Sequence, residues 1–234
     1  MESTIHKPDF NHIELVIFDC DGVLVDSEGL AAQALARSIM DMGYAITPEE
    51  TQKMFLGYSL DMVINKLTTD LKLTVCDTFK SSYLNELHDS MYKKLKPIPG
   101  IHQTISKIKN INQVKNICVA SNGEVETVLI SLEIAGLVSF FDNNIFTASD
   151  VTYGKPNPDL FLYTAKQMGF SPSQCIVVED SIHGINAAIA AGMSVFGYIG
   201  VNQSSNVTHR YFSSTGAKTF AKMDQLPKLV TSIH

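Results

Sequence analysis

The chain has 234 residues, of which 45% are hydrophobic and 18% charged, and its formal net charge is −6. That length suffices for one large domain or for one domain with a small insertion, and the composition argues against disorder. The chain is acidic and has no stripe of lysine and arginine, which argues against a nucleic-acid partner. It also has no run of about 18 apolar residues, so we expect no membrane span.

The first predicted element is a strand over Ile13–Asp19, which follows a loose polar tail at residues 1–11. Its apolar run is short, β-branched and nearly continuous, which is typical of a strand buried on both faces. The run ends in Asp19 and Asp21, followed by Gly22. Burying carboxylates beside a hydrophobic strand is costly unless the charge is paired or bound to a cation. These two acids are therefore the first candidates for chemistry.

Helical patterns occupy the next seventy residues, with no convincing strand among them. The predicted helices cover Gly29–Met42, a segment opening at Thr47, a segment from Ser59 to Leu67, and Asp77–Lys94. The rigid turn at Pro97–Gly100 marks the return to the main domain. We therefore predict a helical subdomain at residues 27–96, inserted into an α/β core formed by residues 12–26 and 97–234.

After this turn, buried strands alternate with helices. The predicted strands are Asn116–Ala120, Asn144–Thr147, Cys175–Val178 and Ser194–Tyr198. The predicted helices are Ile101–Asn110, Val125–Ala135, Asp159–Met168, Ile182–Ala191 and a short one near Asp224–Val230, and residues 201–216 are expected to form a loop. This alternation predicts an α/β fold with a doubly wound, mostly parallel sheet and helices on both faces.

The four cysteines are far apart in the sequence and form no CxxC motif: Cys20, Cys76, Cys118 and Cys175. We interpret them as reduced, buried side chains rather than as a disulfide frame or a zinc site. The N-terminal tail lacks an apolar signal core. These features predict a cytoplasmic protein, and we expect a monomer or weak dimer.

Polar residues follow the strands at their carboxyl ends, where open α/β sheets bind ligands. With the lysine of the loop at residues 154–158, they form one candidate set: Asp19, Asp21, Ser121, Asn122, Lys155, Glu179 and Asp180. Several carboxylates in one crevice repel each other unless a cation lies among them, and carboxylate oxygens suit Mg²⁺. A divalent cation together with a lysine suits a phosphoryl group, and an aspartate can attack phosphorus.

Four segments resemble, in order, the four motifs of the haloacid dehalogenase-like hydrolases: Asp19–Ser27, Ser121–Asn122, Lys155–Pro158 and Glu179–Gly184. The resemblance covers residues 13–199. The helical insertion is similar to the cap of the branch that contains β-phosphoglucomutase and phosphoglycolate phosphatase. Four motifs in order, each at a strand end or in the following loop, are a specific signal.

The resemblance implies a role for each residue of the set. Asp19 would become aspartyl-phosphate, and Asp21 would protonate the leaving alcohol and later activate water. Ser121 and the backbone around Asn122 would bind phosphoryl oxygens, and Lys155 would neutralise charge. Mg²⁺ would be bound by the Asp19 carboxylate, the Asp21 main-chain carbonyl, Asp180, and Glu179 directly or through water.

Simpler roles compete at several positions. Asp26 and Ser27 are interpreted as helix caps. Ser121 can cap the helix that follows it and still bind phosphate. Glu179 either binds the ion directly or contacts it through water. His183 is expected on an exposed first helical turn, without a catalytic role.

The expected function is a magnesium-dependent phosphatase of small phosphorylated metabolites, either sugar or sugar-acid monophosphates. Within the resemblance, Asp21 argues against dehalogenation, because that reaction has no leaving alcohol to protonate. Ala31 stands where β-phosphoglucomutases carry a histidine, which favours a phosphatase over a mutase. Tyr58 stands in the predicted cap loop where several members of the branch carry an arginine or another polar residue, so the identity of the substrate stays open. A phosphomutase and a non-catalytic binding module stay as alternatives.

Overall fold

A computed structural model describes residues 13–200 and 211–232. Within these residues six strands form one sheet in the order β3-β2-β1-β4-β5-β6, and all five neighbouring pairs are parallel. The strands are β1 (Leu15–Phe18), β2 (Asn116–Ser121), β3 (Ile145–Thr147), β4 (Cys175–Glu179), β5 (Ser194–Tyr198) and β6 (Lys218–Phe220). The predicted doubly wound parallel sheet is thus confirmed.

Helices connect the strands and cover both faces of the sheet. They include α1 (Glu28–Asp41), α2 (Pro48–Phe55), α3 (Leu60–Thr69), α4 (Phe79–Lys94), α5 (Ile101–Lys109), α6 (Val125–Ile134), α7 (Val138–Phe141), α8 (Asp159–Met168), α9 (Ile182–Ala190) and α10 (Leu226–Thr231). Alternate residues of β1 enter two different hydrophobic clusters, with Val16 and Phe18 on one face and Leu15 and Ile17 on the other. This two-sided burial explains the nearly continuous apolar run in the sequence.

The first four helices form a third hydrophobic cluster, which includes Leu35, Phe55 and Leu67. We call α1–α4 the cap. Helix α2 begins with a full capping box, in which the Thr47 side chain accepts from the Glu50 backbone and the Glu50 side chain accepts from the Thr47 backbone. The domain boundaries that the sequence predicts, with a helical subdomain at residues 27–96, stay a prediction.

Several sequence-based predictions differ from the structure. Strand β6 and helix α7 were not predicted, because elements of three and four residues carry little periodic signal. The loop expected at residues 201–216 is wrong at residues 211–214, which are helical, while residues 201–210 and the N-terminal tail lie outside the described residues. Of the four cysteines, which are all free, Cys76 is exposed rather than buried.

The described helices include none that is both long enough and apolar enough to cross a bilayer.

Candidate active site

Lys155 lies at the centre of a polar cluster at the carboxyl edge of the sheet, and its side chain is only 2% exposed. Its ammonium donates to Asp19 Oδ1 at 2.5 Å, to Glu179 Oε1 at 2.8 Å and to the Ala120 carbonyl at 2.8 Å. These three bonds use all three ammonium protons. Burial alone would lower the pKa of Lys155, but the carboxylates of Asp19 and Glu179 raise it above its usual value. The lysine therefore stays charged.

Glu179 ends β4 and is 1% exposed. While Oε1 accepts from Lys155, Oε2 accepts from the backbone N–H groups of Asp180 and Ser181, both at 2.8 Å, and from the Ser181 hydroxyl at 2.9 Å. A Cβ added at Gly184 would come 1.7 Å from Glu179 Oε1. The glycine thus lets the first turn of α9 lie directly against this carboxylate.

Three buried carboxylates approach each other around one point. Oxygens of Asp19, Glu179 and Asp180 all lie within 4.8 Å of one another. The end of β1 and the end of β4 bring them together, because these strands are neighbours in the sheet. Burial, and then the charges of Glu28, Glu179 and Asp19, raise the pKa of Asp180 well above its usual value. A cluster of hard oxygen donors with this mutual repulsion is suited to a divalent cation such as Mg²⁺.

Asp21 lies in the same cavity but has a different partner. Its Oδ1 accepts a hydrogen bond of 2.5 Å from the Ser27 hydroxyl. Burial raises the pKa of Asp21, whereas the Ser27 hydrogen bond lowers it. Ser27 occupies the N-cap position of α1, but its side chain makes no capping bond, so its interpretation as a helix cap is wrong. Asp26 precedes the N-cap position of this helix, and its predicted cap role stays a prediction.

Ser121 and Asn122 lie at the carboxyl end of β2. Ser121 is 1% exposed, its hydroxyl accepts from the Gly123 backbone N–H at 3.0 Å, and it also bonds to Asp21. The N-cap of α6 is Glu124, so Ser121 does not cap that helix. The Asn122 side chain accepts from the Lys155 backbone N–H at 2.8 Å and donates to the Lys155 carbonyl at 2.9 Å. Asn122 therefore holds the loop that carries the lysine, and the Lys155–Pro156 peptide bond in this loop is cis.

The cap contacts the core directly beside this cluster. The Asn122 side chain donates to the Gly57 carbonyl at 3.2 Å, and the rings of Tyr58 and His183 meet edge to face with centroids 4.7 Å apart. His183 is half-buried against the cap, so the expectation of an exposed position is wrong. Burial lowers the pKa of His183.

Sequence reasoning missed two cap residues at the site. Glu28, the first residue of α1, hydrogen-bonds through its side chain to Asp180 and accepts from Gln52 at 3.0 Å. Burial raises the pKa of Glu28. Tyr83, on α4, lines the same cavity as Asp21. The position of Glu28 directly after the first motif was a signal for it, whereas the isolated Tyr83 carried none.

All seven residues of the sequence-predicted set border one cavity of about 170 Å³ between core and cap: Asp19, Asp21, Ser121, Asn122, Lys155, Glu179 and Asp180. The structure thus brings together residues that are up to 161 positions apart in the chain, as Asp19 and Asp180 show. Their catalytic, phosphate-binding and metal-binding roles stay predictions.

Comparison with known proteins gives a consistent result. Residues 16–198 match the model of the haloacid dehalogenase-like hydrolase family. The 6-phosphogluconate phosphatase of Escherichia coli K12 is 30% identical over 220 residues, covering 94% of this chain and 95% of the relative. The phosphorylated carbohydrates phosphatase of Thermotoga maritima is 28% identical over 192 residues, covering 80% of this chain and 86% of that protein.

Among solved structures, a haloacid dehalogenase-like protein of unknown function from Agrobacterium tumefaciens C58 superposes with a TM-score of 0.76. It is 32% identical and covers 94% of this chain and 98% of its own. The family match and the phosphatase relatives together make this protein a phosphoric monoester hydrolase. The chain belongs to the haloacid dehalogenase-like hydrolases.

Proposed function

We propose that this phosphatase is magnesium-dependent and hydrolyses small phosphorylated metabolites, either sugar or sugar-acid monophosphates, through an aspartyl-phosphate on Asp19. One observation carries the proposal. Asp19 is a buried carboxylate at 2.5 Å from the ammonium of Lys155, with the oxygens of Glu179 and Asp180 close by. A dianionic phosphoryl group needs this kind of positive charge to approach an anionic nucleophile.

Mg²⁺ fits the donor set, because three buried carboxylates offer oxygens to one point. Asp19 and Asp180 would hold it with the main-chain carbonyl of Asp21. Both oxygens of Glu179 already accept hydrogen bonds, which favours its contact through water. The ion, when bound, would neutralise phosphoryl oxygens and so lower the electrostatic cost of attack by a carboxylate.

The residues of the chain then divide the reaction between them. A carboxylate oxygen of Asp19 attacks phosphorus and the bond to the leaving oxygen breaks. Asp21 gives its proton to that oxygen, and burial raises the pKa of Asp21, which favours the protonated form. Asp21 then accepts a proton from the water that hydrolyses the aspartyl-phosphate. The Ser121 hydroxyl and the backbone N–H of Asn122 hold phosphoryl oxygens, while Lys155 stays protonated.

We further propose a cytoplasmic location, which the free cysteines support because thiols persist in reducing compartments. The partner of the active site would be the phosphorylated metabolite itself.

The test is a phosphate-release assay on the purified chain with p-nitrophenyl phosphate and a panel of sugar, sugar-acid and nucleoside monophosphates. We expect turnover with Mg²⁺ and none after chelation with EDTA. Asp180→Asn should weaken Mg²⁺ binding measured by calorimetry, with the exposed Asp61→Asn as control. Turnover that is unaffected by EDTA would contradict the proposal, and isomerisation of a sugar phosphate without release of phosphate would favour a mutase.

A further inference from the structure

The cap side of the cavity is mostly apolar. Helices α1–α4 line it with aliphatic and aromatic side chains, which include Leu35, Phe55, Leu60, Val63, Leu87 and Met91. The leaving group of a bound phosphomonoester would occupy this side, because the phosphoryl group belongs beside the hydrogen-bonded pair of Asp19 and Lys155 on the core side. The side chains of α1–α4 that line the cavity therefore contribute to the selection of the leaving group.

Positive charge in the cavity is limited to one group. Among the described residues that border it, Lys155 is the single lysine or arginine, and its three protons already reach Asp19, Glu179 and Ala120. A second anionic group on the substrate would find no cation from these residues with which to pair. Buried charge without a partner is strongly disfavoured.

Acidic side chains, in contrast, also lie beyond the catalytic cluster. Glu28 and Glu124 both border the cavity. Glu124 forms an ion pair of 2.8 Å with Lys80, but Lys80 is not among the residues that border the cavity, and its side chain is 43% exposed. A carboxylate or second phosphate on the leaving group would thus lie near like charges.

Tyr83 is one of the polar side chains within this mostly apolar wall. Tyr83 of α4 borders the cavity and packs its ring against the hydrophobic clusters of core and cap. In the described part of the chain its hydroxyl makes no hydrogen bond. Burial, and then the charge of Asp21, raise the pKa of this phenol, so it stays a neutral hydrogen-bond donor close to the acid that would protonate the leaving oxygen.

We propose that the substrate is a phosphate monoester of a small, uncharged, hydroxylated molecule, and that the Tyr83 hydroxyl hydrogen-bonds to a hydroxyl of this leaving group. The inference rests on the proposed phosphatase function and narrows its substrates to phosphates of neutral polyols and sugars. Sugar-acid phosphates and bisphosphates are then poor substrates. A leaving group with hydroxyls would satisfy the phenol, while its carbon skeleton would lie against the apolar wall.

The volume of the cavity supports a small leaving group. About 170 Å³ is below the roughly 300–1,000 Å³ that is usual for ligand pockets. This space suits a short polyol or a single sugar ring better than a nucleoside.

The test compares pairs of related substrates in which one leaving group is uncharged and the other carries a carboxylate or a second phosphate, with Mg²⁺ present. Sorbitol 6-phosphate is paired with 6-phosphogluconate, glycerol 3-phosphate with 3-phosphoglycerate, and fructose 6-phosphate with fructose 1,6-bisphosphate. We expect kcat/KM to be at least about tenfold higher for the neutral leaving group in each pair, because like charges at close range oppose binding. p-Nitrophenyl phosphate serves as the reference for phosphatase activity.

Tyr83→Phe tests the hydroxyl by itself. We expect KM for the best polyol phosphate to rise about 3- to 10-fold, as for one lost hydrogen bond, and the ratio of kcat/KM for this substrate to that for p-nitrophenyl phosphate to fall by the same factor. Tyr92→Phe removes a hydroxyl from the same helix at a position that is 63% exposed, and should change neither.

Each outcome decides between the two proposals. If the acidic members of the pairs are hydrolysed as well or better, or if Tyr83→Phe behaves as Tyr92→Phe does, the inference is overturned while the phosphatase function stands. If no compound, p-nitrophenyl phosphate included, releases phosphate in a magnesium-dependent way, the proposed function fails and the inference falls with it.

Discussion

The two sides of the active-site cavity are built on different principles. On the core side, charged groups are buried and paired, as when Lys155 and Glu179 use their hydrogen-bonding atoms on each other and on nearby backbone. On the cap side, the wall is mostly aliphatic and aromatic, and the Tyr83 hydroxyl has no hydrogen bond among the described residues. The polar groups of the core side are thus held in place by one another. On the cap side, the Tyr83 hydroxyl is still available to bind a ligand.

This difference teaches how reaction and selectivity can be separated in one small cavity. Charges that are held by the ends of β1 and β4 have fixed positions, which suits a transition state of constant geometry. An apolar wall contributed by separate helices can change one side chain at a time without disturbing these charges. The following variants test the difference, from the largest expected effect to the smallest.

Replacing the proposed nucleophile should have the largest effect. In Asp19→Asn the amide is a poor nucleophile, so we expect kcat to fall by on the order of 10⁴-fold or more while the fold is kept. Phosphate release and circular dichroism measure the two quantities. Asp61→Asn, an exposed change of the same kind in the cap, should leave the rate unaltered. Near-normal turnover of Asp19→Asn would remove Asp19 as the nucleophile.

Removing the central cation should affect both rate and stability. Lys155→Ala leaves the carboxylates of Asp19 and Glu179 buried without their shared partner. We expect a loss of about 10²-fold or more in kcat/KM, and of about 3–5 kcal/mol in the free energy of unfolding. Steady-state kinetics and urea unfolding are the measurements, with the exposed Lys166→Ala as control. A variant with unchanged stability would show that the cluster tolerates the loss of this charge.

The smallest of the three effects is expected at Ser27, where cap and core meet. Ser27→Ala removes the hydroxyl that binds Asp21 Oδ1, and the acid loses its fixed orientation. We expect kcat to fall roughly 10-fold, as for one lost hydrogen bond, with recovery in Ser27→Thr. Ser38→Ala is the matched control, because Ser38 is a buried serine of the same helix that bonds only within it. Equal rates for Ser27→Ala and Ser38→Ala would contradict a positioning role for Ser27.

The sequence was sufficient to predict the core side of the cavity. In a parallel sheet the carboxyl ends of the strands lie along one edge, so Asp19, Ser121 and Glu179 could be placed together from the strand pattern alone. The shortest elements of the fold, such as α7 and β6, were missed because their hydrophobic pattern is too short to be recognised. It spans a single helical turn in α7 and three residues in β6.

The cap side could not be predicted in the same way. The side chains of Glu28, Tyr83 and His183 reach the site through the packing of helices, and helical periodicity does not fix how one helix lies on another element. Ser27 shows the same limit at one residue. Its position before a helix predicted a cap, yet its hydroxyl binds Asp21, because the chain turns back between the two residues at Gly22.

Gly184 has a consequence for anyone who would redesign this enzyme. Since the Glu179 carboxylate occupies the space that a side chain at position 184 would need, any substitution of Gly184 would displace this carboxylate from its contacts with Lys155 and Ser181. Gly29, at the start of the cap, has no atom within 4 Å of the corresponding position and tolerates larger residues in this respect. New substrate ranges are therefore better sought among the helices above the sheet than in the loops at its edge.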